Sequence, residues 1–388
     1  MTVSLANAPA FPAPEQVLQT LLDQICNANA TGQRLQIRGS GSKDFYTPVT
    51  AEAQILDTRS LRGIINYEPS ELVVSAWAGT PLAELEAVLA EYGQCLPFEP
   101  PHFGNAATVG GMVAVGLAGP SRANVGSVRD HILGVHLING LGQLLQFGGT
   151  VIKNVAGYDV SRLLAGSLGT LGLITQVHLK VLPLAPAQAT LRFAALQADA
   201  LQALYGWSGQ PLPLNASSWQ WNEAGGVLHV RLRGARAAVE AACQRMGGER
   251  LDETAAALHW PGCREQSLPW FQAVQNEGHS LWRLAVPQTT PKLDLAVLGN
   301  PIPFIEWHGG QHWIALPPKE TALATEFLPE LLRRAGGHAS LFRPATSGIS
   351  ANLNRFQPLP ASLFAIHQRL KQEFDPAGIF PDLPWKKA

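Results

Sequence analysis

The sequence predicts an α+β protein in two parts, and three observations carry that expectation. Strand, tight turn and helix alternate with short connections as far as Leu182. Glycine is concentrated between His102 and Leu173, which hold 15 of the 37 glycines, and thins out after Pro183. Eight of the ten tryptophans then fall between Trp207 and Trp313, among segments in the order strand, helix, strand, strand, helix. That order predicts an antiparallel sheet backed by helices, a smaller α+β cap on the first part.

The elements follow from local pattern. Val17, Leu18, Leu21, Leu22 and Ile25 recur at helical spacing and predict an amphipathic helix from Pro14 to Ala28. Leu35 to Ile37 reads as a short strand that runs into Arg38-Gly-Ser-Gly-Ser-Lys43. Glu71 to Ala78 is apolar enough for a strand. After it, Thr80 is placed to cap a helix that has Pro81 at its first position and Leu82, Leu85, Val88 and Leu89 on its buried face. His131 to Asn139 and Leu173 to Leu182 are further strands. Leu182-Pro-Leu-Ala-Pro186 marks a boundary, giving a first domain over 1–185 and a cap over 186–345. In the cap, Ser217–Asn222 and Val227–Arg233 read as strands and Ala235–Met246 as a helix. Leu258–Gly278 resists assignment because Pro261, Gly262 and Pro269 interrupt any period. A helix from Pro360 to Phe374 within 346–388 is expected to return to the first domain.

Composition excludes several classes. With 388 residues, 46% hydrophobic and 15% charged, the chain can bury a sizeable core and is not a disordered one. A net charge of −1 and a pI near 6.8 give no electrostatic pull toward nucleic acid. The N-terminal residues lack a basic region followed by an apolar core, and no stretch approaches ~18 consecutive apolar residues. A cytoplasmic protein is expected, peripheral to a membrane only through partners. Cys26, Cys95, Cys243 and Cys263 form no Cys-x-x-Cys pair, so neither zinc nor an iron–sulfur cluster finds its usual ligand spacing. In a redox protein that absence would mean that another chain carries the electrons onward.

The glycine phrases carry the chemistry. Converging main-chain N–H groups hold a diphosphate well, and a Gly-Ser-Gly turn after a strand can supply them with the Ser40 and Ser42 hydroxyls beside them. The phrase is not Gly-x-Gly-x-x-Gly, since position 44 is Asp, and no P-loop occurs. Alone it reads more readily as a plain strand-ending turn. Its companions are Ala107-Thr-Val-Gly-Gly111, Gly126-Ser-Val-Arg-Asp130, Lys153-Asn-Val-Ala-Gly-Tyr-Asp159, Gly169-Thr-Leu-Gly-Leu-Ile-Thr175 and Phe374-Asp-Pro-Ala-Gly-Ile-Phe380.

In that order these phrases resemble the FAD-binding domain of the vanillyl-alcohol oxidase superfamily. Within it, Pro97-Phe-Glu-Pro-Pro101, Phe103-Gly104 and the short cap resemble the FAD-binding E subunits of glycolate oxidase, also called glycolate dehydrogenase. The resemblance implies a two-subdomain FAD-binding fold. It places Arg38, Gly39, Ser40, Gly41, Ser42 and Lys43, with Thr108, Val109, Gly110 and Gly111, along the cofactor. Gly119 would allow close approach, and Gly172 and Ile174 would offer main-chain groups to the adenine or ring. The first glycine loop has no histidine, so the FAD is expected to be non-covalent. Asp375-Pro-Ala-Gly-Ile-Phe380 lacks the Asn-Pro-Gly that usually follows, which weakens any flavin contact there.

The resemblance further implies oxidation of glycolate to glyoxylate within a complex. A flavoprotein catalytic subunit would carry the substrate site and an iron–sulfur subunit would receive electrons. A self-sufficient dehydrogenase of a hydroxy acid or sugar acid, and a non-catalytic assembly subunit, are the alternatives. No catalytic residue is assigned. His229, His259, His308 and His312 are not expected to bind a metal, because Gly309-Gly310 reads as a hairpin turn. Arg231, Arg233, Arg283 and Arg343 are candidates for a carboxylate clamp but are expected mostly to reach solvent. The tryptophans read as core or as a docking surface for a partner.

Overall fold

The computed structural model describes residues 13–47, 52–150, 158–345 and 354–387. The first twelve residues and the Lys153–Gly157 part of one glycine phrase lie outside the described residues. The helix Pro14–Thr31 buries Val17, Leu21, Ile25 and Ala28 and stops at Gly32, whose φ of 70° lets its N–H close on Ala28. It packs over Leu35–Arg38 (β1), which pairs in parallel with Gln54–Asp57 (β2). β1 delivers the chain into the 38–43 loop.

A five-stranded antiparallel sheet follows, from Ile64–Glu68 (β3), Val73–Trp77 (β4), Ile132–Ile138 (β5), Leu144–Gly148 (β6) and Leu173–Lys180 (β7), in the order β3-β4-β7-β5-β6. Leu85 and Leu89 of the helix Leu82–Glu91, and Met112 and Val113 of the helix Val109–Val115, join Val135, Val177 and Leu179 in its core. One expectation needs correcting. Pro81 rather than Thr80 is the N-cap of Leu82–Glu91, because the Thr80 hydroxyl is used elsewhere: it donates to Trp77 O at 2.7 Å and accepts from Gly63 N at 3.0 Å.

The second sheet has eight strands. Ala187–Ala194 (β8), Leu214–Asn222 (β9), Gly225–Gly234 (β10), Ser280–Ala285 (β11), Phe304–Glu306 (β12), Gln311–Leu316 (β13) and His338–Arg343 (β14) lie in the order β8-β10-β9-β12-β13-β11-β14, with Glu249–Arg250 outside β8. All named pairings are antiparallel. Side chains alternate in direction along each strand. Trp282 and Leu284 of β11 and Ile314 and Leu316 of β13 therefore pack with Leu328 and Leu332 of the helix Thr321–Arg334. Leu281, Trp313 and Phe342 face the opposite way and meet Phe45, Tyr46, Phe103 and Leu117 of the first part.

Trp219, Trp260, Trp282, Trp307 and Trp313 are each at most 5% exposed. They are core residues, and the docking-surface reading of the tryptophans as a set does not hold. The segment that resisted assignment forms two helices, Glu253–Glu265 with Pro261 inside it and Pro269–Asn276.

The tail packs against the first part. The helix Ala361–Phe374 ends in a knot: Lys371 Nζ donates to Asp375 Oδ2 at 2.6 Å and to Thr170 O at 2.9 Å, while Asp375 accepts from the N–H groups of Ile379 and Phe380. Ile379 and Phe380 are wholly buried beside Ile25 and Leu35. The Asp375–Phe380 phrase is thereby a clasp for the chain end.

Candidate functional site

A cleft in the first part opens where β1 ends, and the loop that β1 releases has a defined shape. Arg38 reaches back to Asp44, with Nη2 to Oδ2 at 2.5 Å. Gly41 turns the main chain at φ 76°, and a Cβ there would sit 2.4 Å from the Arg38 guanidinium. Only glycine fits that conformation under that side chain. Among the described residues, no acceptor takes the main-chain N–H of Ser40, Gly41, Ser42 or Lys43. The Arg38 Nε is also buried without a partner.

Lys43 is 8% exposed, its Nζ donating to His102 O at 3.2 Å and Ser42 Oγ at 3.3 Å. Burial lowers its pKa to about 8 against the pull of Glu265. Two cations and a run of free N–H donors converge on one cleft, which is the donor set an anionic group requires.

The structure brings most of the expected residues together. Arg38 through Lys43, Thr108, Gly110, Gly111, Gly172 and Ile174 all line this cleft, with Thr58, Ala78, Ala114, Val115, Leu168 and Gly169 beside them. Two do not join them. Val109 points into the core and is fully buried. Gly119 lies at the contact between the two parts, where its carbonyl accepts from Trp307 Nε1 at 2.9 Å and a Cβ would stand 2.3 Å from Glu99 O.

Chain-on-chain packing explains several other glycines. A Cβ at Gly39 would meet Thr108 Oγ1 at 2.5 Å, at Gly110 Ala78 Cβ at 2.7 Å, and at Gly172 Ile138 O at 2.5 Å. Thr108 is the hinge of this arrangement. It caps the helix Val109–Val115 by accepting from Gly111 N. Thr108→Ala is expected to cost about 1 kcal/mol of stability, the ordinary value of a lost cap, readable as a lowered midpoint in chemical denaturation.

The second part binds the first through buried polar contacts. Arg231, 3% exposed, donates to Glu99 Oε2 at 2.7 Å and to Asn215 Oδ1 at 2.6 Å, and Arg233 reaches Glu99 Oε1 at 3.3 Å. The expectation that these arginines reach solvent is overturned, because the Pro97–Pro101 segment carries a carboxylate into the sheet. Desolvation pushes the Glu99 carboxyl up, but Arg231, Arg233 and Ser121 outweigh it and hold its pKa below the ordinary 4.5. Glu265 accepts from the main-chain N–H of His102 and Phe103.

The histidines are spent internally. His308 Nε2 meets Asn124 Nδ2 at 2.7 Å, His312 Nε2 meets Gly309 O at 3.0 Å, and His229 stacks on His259 at 4.1 Å. Burial lowers the pKa of His229, His308 and His312 to about 4 and that of His259 to about 3, so all four are neutral at pH 7. Among the described residues no group of three His, Cys, Asp or Glu side chains is placed to hold a metal.

Sequence reasoning missed Tyr46 and Glu306. Glu306, buried under Trp313 Nε1 at 2.7 Å and Gln311 Nε2 at 3.0 Å, has its pKa raised to about 7 by desolvation. Tyr46 meets Phe342 and Phe356 from distant segments, and although Glu306 bonds near neighbours across a hairpin, its burial depends on the packing of the two parts, which no local pattern announces.

A family model described as a FAD binding domain matches residues 10–160. Over 363 residues the chain is 44% identical to glycolate oxidase subunit GlcE of Escherichia coli strain K12, an alignment covering 93% of this chain and 95% of that one. The chain belongs to the GlcE family of glycolate oxidase subunits. This GlcE homologue is also 28% identical over 155 residues to glycolate oxidase subunit GlcD of Bacillus subtilis strain 168, across 40% of this chain and 33% of that one. Among solved structures, alkyldihydroxyacetonephosphate synthase superposes with a TM-score of 0.66 at 16% identity, covering 95% of this chain and 74% of the other. That likeness shows the fold, the α+β FAD-binding fold implied by the motif resemblance.

Proposed function

We propose that this chain is the FAD-binding subunit of a multi-subunit glycolate dehydrogenase that oxidises glycolate to glyoxylate, and that it holds its FAD without a covalent bond. The observation that carries the reading is the Arg38–Lys43 loop, whose free N–H groups and two flanking cations suit the diphosphate of a dinucleotide. Arg38 and Lys43 offset the diphosphate charge, and the N–H groups of Ser40 to Lys43 donate to its oxygens. Thr108, Gly110 and Gly111 form the opposite wall of the cleft. Gly172 and Ile174 offer main chain at its far end. Bound FAD supplies a two-electron acceptor for a 2-hydroxy acid. An anion beside Lys43 would raise the lysine's lowered pKa and keep it charged.

The reading divides the chain into a FAD-binding domain over 1–185, a cap over 186–345 and a returning segment over 346–388. It also assigns partners by chemistry: a flavoprotein subunit that completes the substrate site, and an iron–sulfur subunit that takes the electrons onward. Support comes from the four unclustered cysteines and from the absence, among the described residues, of a helix long and apolar enough to cross a membrane. The subunit would act in the cytoplasm, reaching a membrane through those partners.

Linkage is the direct test. Denaturation in acid or detergent is expected to release the flavin intact into the filtrate, because no histidine stands in the 38–43 loop. A yellow band that survives denaturing electrophoresis would overturn the non-covalent assignment. Co-expression with candidate partners tests the rest: a monodisperse chain with full glycolate:acceptor activity and no retained partner would favour a self-sufficient dehydrogenase.

A further inference from the structure

Val115 and Leu168 line the cofactor cleft and also a second cavity of about 290 Å³, whose polar lining is Tyr46, Arg283, His338, Ser340 and Gln357. Arg283 and His338 line in turn a third cavity, of about 400 Å³, together with Arg122. The three spaces thus share walls, and Arg283 lies in the wall between the second and the third. It is a cation without an anion. Its Nε donates to Gln311 Oε1 at 2.6 Å and its guanidinium lies 5.0 Å over the Trp307 ring, against which Arg122 also rests at 4.5 Å.

Every aspartate and glutamate of the chain falls within the described residues. Among those residues no carboxylate comes within 4.0 Å of Arg122 or Arg283. Glu306 and Asp130 act on them only from farther away. Glu306 is engaged with Trp313 and Gln311. Two guanidinium groups sharing one indole repel each other, and a deep charge left unpaired is costly. An anionic ligand removes both penalties.

We infer that Arg283 binds the carboxylate of a small organic acid in the cavity beside Tyr46, and that Arg122 and His338 line the route by which the acid arrives. The inference rests on the proposed function, naming the residues of this chain that would recognise a 2-hydroxy acid. Arg283 is held by its Nε on Gln311 and by a side-chain hydrogen bond to the Tyr46 phenol, and its remaining N–H groups are donors for a carboxylate, in the planar geometry that arginine offers and lysine does not. The Tyr46 phenol, kept protonated by burial against the pull of Arg283 and Ser340, can donate a further hydrogen bond. His338, its pKa lowered by burial and then by Arg283 and Arg122, is neutral and adds no competing charge. Arg122, exposed at the mouth, draws anions inward.

The test is calorimetric titration of the full FAD-loaded chain with oxalate and with glycolate, alongside sulfate as a control anion. Wild-type chain is expected to bind both acids and to prefer them to sulfate. Arg283→Met is expected to weaken oxalate at least tenfold at unchanged flavin content, Arg283→Lys to give an intermediate loss, and Arg122→Gln a loss of a few-fold that shrinks at high salt.

Absence of acid binding by the FAD-loaded wild type overturns the inference, as does equal affinity for sulfate or unchanged oxalate affinity in folded Arg283→Met. Should Arg283→Met fail to fold, unchanged affinity in both Arg283→Lys and Arg122→Gln overturns it instead. Failure of the wild type to retain FAD strikes the proposed function. Oxalate binding is then titrated on the flavin-free chain, where the same substitutions decide the inference separately.

Discussion

Gly41→Val is expected to leave purification without its flavin. The substitution places a β-branched residue at φ 76°, where an L side chain is strained by about 1–2 kcal/mol, and drives its Cβ to 2.4 Å from the Arg38 guanidinium. Arg38 must then leave Asp44, and the N–H groups of Ser40 to Lys43 lose the turn that gathers them. Each 1.4 kcal/mol is about a factor of ten in affinity, so a fall in FAD affinity of at least about a hundredfold is expected from strain and lost donors together. The ratio of flavin to protein absorbance after gel filtration measures it. Stoichiometric FAD in Gly41→Val would show that the loop does not hold the cofactor. Gly39→Ala supplies a graded comparison, since there the obstacle is Thr108 Oγ1 at 2.5 Å rather than a left-handed φ.

Glu99→Ala is expected to destabilise the protein by about 3–5 kcal/mol, the range for removing one partner of a buried ion pair. The Arg231 side chain, 4% exposed, is then left charged at the contact between the two parts, and the main-chain N–H of Ser121 loses its acceptor. The effect depends on pH in a defined direction. Because the folded Glu99 pKa lies below its unfolded value of 4.5, the stabilisation is fully present above 4.5 and is lost as pH falls through the folded pKa. Chemical denaturation of wild type and variant at a series of pH values should give a constant difference near neutrality that narrows in acid. An equal difference at every pH would mean that Glu99 acts by shape rather than charge.

The elements most legible in the sequence were those encoded by contiguous residues. The helix Pro14–Thr31 and strands β4, β5 and β7 follow from local periodicity, and the 38–43 loop from a glycine that no other residue can replace. Pro261 shows the limit of local reading. A proline and a glycine in succession argue against a helix, yet Glu253–Glu265 continues through them, with Trp260 and Cys263 buried in the core that joins the two parts. Burial against the sheet outweighed the lost main-chain hydrogen bond.

By itself the sequence determined the class of the protein and the place of the 38–43 turn, since a glycine at positive φ beneath an arginine side chain is recorded residue by residue. Only the tertiary structure decided what its charges do. Glu99 and Arg231 are 132 positions apart and Gln311 stands 28 from Arg283. Whether such residues meet depends on strand order and register, which no local pattern states. The same physics placed Gly119 at the contact between the parts rather than in the cleft and put five tryptophans in the core. It also left Arg122 and Arg283 against one indole, that of Trp307, with no carboxylate within 4.0 Å of either among the described residues.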